Sequence, residues 1–347
     1  MSDSKDTIQR TEIASLGEFG LINHLTRDFP LRQESTVTGV GDDAAVLRGH
    51  PGAIVVTTDL MLEGIHFDLA YFPLKHLGYK AVVCNLSDVC AMNAKPEQIT
   101  VSIAISNRFS VEALDLLYEG IREACRYYEV DLVGGDTTSS LRGLVISITA
   151  IGRQSEDKIC YRSGAKPGDY LFVTGELGGA FLGLQLLERE KKIFLENPGI
   201  QPDLENQRHA VGKFLKPEAR KDVVAWLEKA GVVPHAMMDL SDGLSSDLMH
   251  LCTQSQVGAE ITESLIPMNE EAKLLALKFQ MDPYLCAMNG GEDYELLMAV
   301  DPEEAKKIQF LPGFYYIGEC KPKEFGILLK TDQGKLHPMK AQGWVHF

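Results

Sequence analysis

Apolar runs alternate with amphipathic stretches along the first half of the chain. AIVVTTD, QITVSIAI and LVISITAIG are short, rich in Val, Ile and Thr, and read as strands. Between them, residues from Pro73 to Met92 and from Val111 to Tyr128 repeat apolar positions at three- and four-residue spacing, which predicts helices. Past Gly152 the pattern restarts after a connector dense in turn formers, Arg162-Ser163-Gly164-Ala165-Lys166-Pro167-Gly168-Asp169. Strands are then expected at YLFVTG, YELLMAV, FYYIGEC and FGILLK, and helices at Ala180 to Arg189, Glu218 to Ala230 and Leu244 to Ser255. Glu196 to Arg208 reads as an exposed loop. The expected fold class is α/β of the α+β type, in two domains, 1–152 and 153–347. There is no fixed-period repeat and no low-complexity tract.

Composition narrows the partners. The chain has 34 Lys plus Arg against 49 Asp plus Glu, a net charge of −15, which argues against nucleic acid or an anionic membrane as the main partner. The N-terminal MSDSKDTIQRTEIASLGEF lacks the basic start and apolar run of a signal peptide, and no stretch approaches a membrane span. Seven cysteines form no C-x-x-C pair and lie mostly among apolar residues, so we expect reduced core thiols and a cytoplasmic setting.

The chemistry is concentrated in short acidic loops. Gly41-Asp42-Asp43, Thr57-Thr58-Asp59, Asn85-Leu86-Ser87-Asp88, Gly134-Gly135-Asp136-Thr137 and Asp239-Leu240-Ser241-Asp242-Gly243 set aspartates beside Gly, Ser or Thr, and Gly290-Gly291-Glu292-Asp293-Tyr294 follows the same style. Several lie next to strand-like runs, which deliver side chains to one edge of a sheet. A single Asp in such a turn is as readily structural, capping an amide or a helix N-terminus. Together these loops exceed what turn-making needs. Gathered carboxylates repel one another unless protonated or neutralised, and oxygen-only ligands suit magnesium or calcium. No segment has the EF-hand spacing, so a composite metal-phosphate site is favoured over a calcium loop.

Other motifs are absent or weak. Neither a P-loop nor protein-kinase motifs occur, and no zinc spacing or nucleophile-base pair is suggested. Gly175-Glu176-Leu177-Gly178-Gly179-Ala180, between a strand and a helix, offers amides to an anion, with close helix packing the more ordinary role. Arg162 and Lys166 could reach phosphates or lie on the solvated surface. His66 and Trp344 each have a structural alternative, as a lone histidine and as a tail anchor.

The motifs GVGDDAAVL, TTDLMLEGIHF, NLSDVCAM, GGDTTSS, RSGAKPGD, DLSDGLSSDL and GGEDYEL occur in an order that resembles the thiamine-monophosphate kinase family. That family lies within the aminoimidazole ribonucleotide synthetase and selenophosphate synthetase superfamily, and the likeness runs from Gly17 to Trp344. It implies an N-terminal mixed sheet that pairs with that of a second subunit in a homodimer, and a C-terminal α/β domain. It also implies ATP-dependent phosphorylation of thiamine monophosphate to thiamine diphosphate, with several magnesium ions and no side-chain base or nucleophile. Carried over by motif, Asp43, Thr57, Thr58, Asp59, Asp88, Asp136, Asp239 and Asp242 are the implied metal ligands. Gly135, Asp136, Arg162 and Ser241 fall at ATP, and His66, Glu292 and Trp344 at the thiamine-phosphate side. Asn93 stands where the family usually has Gly, beside the Asp88 loop. The nearest rival is another ATP-dependent member of the superfamily, an amidine-ring-forming synthetase or a selenophosphate synthetase, the latter weakened because residues 1–40 contain no cysteine. A noncatalytic metal- or nucleotide-binding protein would share the acidic loops but consume no ATP.

Overall fold

The structure, a computed structural model, describes residues 10–41, 44–49, 51–205 and 207–340. The elements in the first half are α1 (Gly17–Thr26), β1 (Thr36–Thr38), β2 (Val46–Leu47), β3 (Ala53–Leu62), α2 (Leu74–Ala91), β4 (Lys95–Ile105), α3 (Val111–Tyr128), β5 (Asp131–Ser139) and β6 (Val145–Gln154). The second half adds β7 (Tyr170–Thr174), α4 (Gly179–Glu196), α5 (Arg208–Leu215), α6 (Lys221–Ala230), β8 (Ala236–Asp239), α7 (Leu244–Ser255), β9 (Gly258–Thr262), α8 (Glu270–Lys278), α9 (Pro283–Asn289), β10 (Leu296–Val300), α10 (Pro302–Ala305), β11 (Phe314–Lys321), β12 (Ile327–Lys330) and β13 (Leu336–Pro338). Contacts separate the described residues into two compact units. One takes those within 1–50, 58–82 and 97–150, and the other those within 51–57, 83–96 and 151–347.

The strands of the first half form a four-stranded sheet in the order β3-β6-β4-β5. β4 and β5 run parallel, a pairing that needs a crossover, and α3 supplies it. Val111, Leu114, Leu117, Tyr118, Ile121 and Cys125 recur on one face of α3 and are buried, while the Ser110 hydroxyl caps its first turn by accepting from the Ala113 amide. β6 alternates buried and half-buried positions, so the sheet has one covered and one open face. At its edge, β3 turns Ile54, Val56 and Leu60 outward, 57%, 60% and 52% exposed.

The second unit is built on a seven-stranded sheet in the order β13-β12-β9-β11-β7-β10-β8, antiparallel except where β12 meets β9. Its central strands are apolar on both faces. Leu171, Val173, Met238, Leu297 and Ala299 enter one core with Leu244, Leu248 and Leu251 of α7. Phe172, Met237, Leu296, Met298 and Val300 enter another with Val223 and Leu227 of α6. Helices therefore cover both faces, and continuous rather than alternating hydrophobicity is the result. A third cluster joins α4, α5 and α8.

The helices expected from the pattern at Pro73 to Met92, Val111 to Tyr128 and Leu244 to Ser255 are α2, α3 and α7. The one expected at Ala180 to Arg189 continues to Glu196, because Leu186, Leu187 and Glu190 keep its inner face buried past the point where charges begin to dominate. β8 was not legible: four residues are too few to show a period.

Candidate active site

Within the second unit, two loops are laced together at the end of the sheet. β8 ends at Asp239 and its chain runs on through Leu240, Ser241 and Asp242 into α7, while Glu292 to Glu295 leads into the neighbouring β10. The Leu240 amide donates to the Glu295 carbonyl at 2.8 Å, Tyr294 donates to the Leu240 carbonyl at 3.0 Å, and Glu292 donates to the Ser241 carbonyl at 2.8 Å. Asp239 is 3% exposed and accepts from the Ser87 hydroxyl at 2.8 Å. One residue on, Asp88 Oδ2 accepts from the Thr57 hydroxyl at 2.6 Å. The acidic segments read from the sequence as loops prove to lie in β3 at Thr57, in α2 at Asp88 and at the end of β8 at Asp239, and these three are joined in one hydrogen-bonded neighbourhood.

Its electrostatics is that of crowded carboxylates. Burial pushes the Asp88 carboxyl above its ordinary range, against the opposing pull of the Thr57 hydroxyl and of the Arg162 guanidinium. Asp247, one turn into α7, accepts from the Asp242 amide at 3.2 Å. Burial, and then the charges of Asp239 and Asp242, push it up to about 8. Asp247 was overlooked in the sequence although it lies inside DLSDGLSSDL, since its spacing from Asp242 does not announce that the helix turns it back toward the loop.

The first unit holds the remaining acids. Asp59 shares a face of β3 with Thr57, whereas Thr58 faces the other way and its hydroxyl donates to the Ile148 carbonyl at 3.0 Å. Asp136 is exposed on β5 and accepts from the Thr137 amide at 2.9 Å. Beside it, a Cβ on Gly135 would strike the Val101 carbonyl of β4, so only glycine fits. In the turn after β3, His66 Nδ1 accepts from the Leu62 amide at 3.0 Å, so the neutral ring carries its proton on Nε2. Asp43 and Trp344 lie outside the described residues.

Three sequence ambiguities are resolved. The Gly175–Ala180 amides are not open to an external anion: Asp293 Oδ2 accepts from Gly178 at 2.7 Å and Oδ1 from Ala180 at 3.4 Å. Lys166 is tied to the segment before β8, its Nζ 3.0 Å from His235 Nε2 while His235 Nδ1 lies 2.9 Å from Asp169 Oδ2. Asn93 has φ of 56°, the left-handed region, and its side chain donates to the Lys158 carbonyl at 2.9 Å. Asn tolerates that conformation better than other non-glycine residues, which preserves the turn.

The chain matches the AIR synthase related protein N-terminal domain over residues 41–154 and the AIR synthase related protein C-terminal domain over residues 166–323. It is 34% identical to the thiamine-monophosphate kinase of Bacillus subtilis (strain 168), covering 96% of this chain and 100% of that protein. With the thiamine-monophosphate kinase of Rhodopirellula baltica identity is 36%, over 92% of this chain and 93% of that protein. The chain belongs to the thiamine-monophosphate kinase family. Among solved structures, AaThiL complexed with AMPPCP and TMP has a TM-score of 0.74 at 30% identity, covering 97% of this chain and 99% of that one. Hydrogenase maturation protein HypE in complex with ATP, at 22% identity and a TM-score of 0.69, shares the fold.

The donor set of this thiamine-monophosphate kinase family member fits a hard divalent cation. Every candidate donor is an oxygen, and burial and then the charges of Asp239 and Asp242 raise the cost of ionising Asp247. Among the described residues no group of three or more His, Cys, Asp or Glu is placed to hold a metal ion.

Proposed function

We propose that the protein transfers the γ-phosphoryl group of ATP to thiamine monophosphate, giving thiamine diphosphate and ADP, the last step of thiamine diphosphate synthesis. The full-length likeness to thiamine-monophosphate kinases carries this reading, and the acidic neighbourhood around Asp88 and Asp239 supports it. An acceptor phosphate oxygen attacks the γ-phosphorus in line, a bond forms there, and the bond to the β-γ bridging oxygen breaks, leaving ADP. The acceptor is already anionic at neutral pH, so no general base is required.

Asp43, Asp59, Asp88, Asp136, Asp239 and Asp242, with Thr57 and Thr58, would hold several magnesium ions. Bound magnesium would neutralise the phosphates and stabilise the charge of the transition state. Gly135, Asp136, Ser241 and the exposed Arg162 would contact ATP. His66 and Glu292, with Trp344, meet the thiamine-phosphate side. The Leu62 amide fixes the His66 ring through Nδ1.

The protein acts as a homodimer through the outer face of β3. Ile54, Val56 and Leu60 form an exposed apolar row on an edge strand, which sheets ordinarily cover. We place the enzyme in the cytoplasm: all seven cysteines are free and buried, and among the described residues no helix is long and apolar enough to cross a membrane.

The test is ADP release from magnesium-ATP with and without thiamine monophosphate, with chromatography for thiamine diphosphate. Acceptor-dependent ADP matched by thiamine diphosphate is the expected result. ADP formed equally without acceptor would make the protein a phosphohydrolase instead, and no ADP would make it a binding protein.

A further inference from the structure

The segment that carries Glu292 is folded against its own backbone preferences. Gly291, Glu292 and Tyr294 have φ of 75°, 59° and 53°, and a left-handed conformation is unfavourable for both non-glycine residues. A Cβ on Gly291 would come within 2.5 Å of the Ser241 carbonyl, so the turn lies directly on the Ser241 loop. Such a turn persists only where its surroundings determine it.

Two buried carboxylates do so. Asp293, 2% exposed, turns inward between the two strained residues and takes the Gly178 and Ala180 amides. α4 has no side-chain cap of its own at Gly178, so its N-terminal amides are satisfied from a residue 115 positions away. Glu295 faces the same way, accepting from the Thr174 hydroxyl at 2.8 Å, Lys213 Nζ at 2.7 Å and Arg220 Nη1 at 2.6 Å. Of the three acids in this stretch, Glu292 alone is left partly exposed. A helix of 18 residues could be capped by a local Ser or Asp, as Ser110 caps α3. Capping from this distance ties the helix to the loop instead.

We propose that Asp293 is a positioning residue: by capping α4 it fixes the left-handed turn from Glu292 to Tyr294 and so the direction in which Glu292 meets the acceptor. The inference rests on the kinase reading for its substrate.

Asp293→Ala, Asp293→Asn and, as a control for loss of an ordinary cap, Ser110→Ala are compared in the full-length protein. Asp293→Ala is expected to raise KM for thiamine monophosphate about tenfold while KM for ATP changes less than about twofold. Asp293→Asn falls between it and wild type, because its oxygen still accepts one amide while its NH2 meets the other. Ser110→Ala is expected to lower the melting temperature and leave both KM values alone. Unchanged KM values in Asp293→Ala, or an equal rise in both, overturn the proposal, and if that variant does not fold Asp293→Asn is judged by the same criterion. Amide exchange of residues 288–296 without substrate separates the two readings. Faster exchange in Asp293→Asn but not in Ser110→Ala supports the clamp even if wild type shows no acceptor-dependent turnover, and unchanged exchange refutes it.

Discussion

The Thr57 hydroxyl donates a 2.6 Å hydrogen bond to Asp88 Oδ2, joining a strand and a helix that carry two different acidic motifs. Burial makes ionisation of Asp88 costly, and this bond is among the interactions that offset the cost. Thr57→Val should therefore raise the magnesium concentration needed for half-maximal activity by about tenfold, the worth of roughly one hydrogen bond to a charged group. Thr57→Ser should behave as wild type. A magnesium titration of initial rates checks both, and an unchanged midpoint in Thr57→Val would show that the bond is incidental.

Asp88→Asn removes a buried charge while keeping the size of the side chain. Activity should fall by roughly three orders of magnitude, the scale seen when a group stabilising phosphoryl-transfer charge is lost. The ligand-free melting temperature should stay level or rise, since a desolvated carboxylate no longer has to be accommodated. Turnover and thermal melting, measured on the same preparation, test the pair. Wild-type turnover at ordinary magnesium would refute a metal role for Asp88.

Asp293 links stability to pH. Burial, outweighing the Gly178 amide and the charge of Lys213, raises its carboxyl from an ordinary 3.8 to about 7. Between those values the folded protein binds a proton that the unfolded chain does not. This contribution is therefore fully present below 3.8 and is lost as pH rises through about 7. Denaturant midpoints from acid to mildly alkaline pH should fall in wild type relative to Asp293→Asn across that window. Parallel curves would mean that Asp293 is ionised throughout.

Val56 is 60% exposed in the apolar row of β3. Val56→Lys should convert a dimer to a monomer, since a desolvated ammonium at the centre of an apolar contact has no partner. Light scattering coupled to size exclusion reads the outcome. A dimer that survives the substitution would place the subunit contact on another face.

Much of this protein was legible from its chain. Three-residue and four-residue spacing of apolar positions is enough to define α3 and α7, because a helix that buries one face must repeat at its own period; α2 matches its expected span although residues 77–87 are buried on every side. The ordered acidic motifs were legible for a related reason: polar residues packed beside Gly, Ser and Thr next to strands have few structural uses in such number. Short or doubly covered elements were not. β8 has four residues, all buried, and nothing in AMMD distinguishes a strand between two cores from part of a helix.

What the sequence by itself determined was the alternation of strands and helices, the acidic chemistry and the family. What only the tertiary structure decided was the direction and occupancy of individual groups. Thr58 and Asp59 are neighbours in the chain yet face opposite sides of β3, and Asp247 and Asp293 lie inside motifs visible in the sequence, but only the structure gives the amides their carboxylates accept from. The amides of the Gly175–Ala180 loop looked open to an anion until a carboxylate 115 residues from Gly178 was found on them. The reason is physical: periodicity and motif content follow from local geometry, whereas hydrogen-bond partners and the cost of ionising a carboxylate depend on what distant segments bring within a few ångströms.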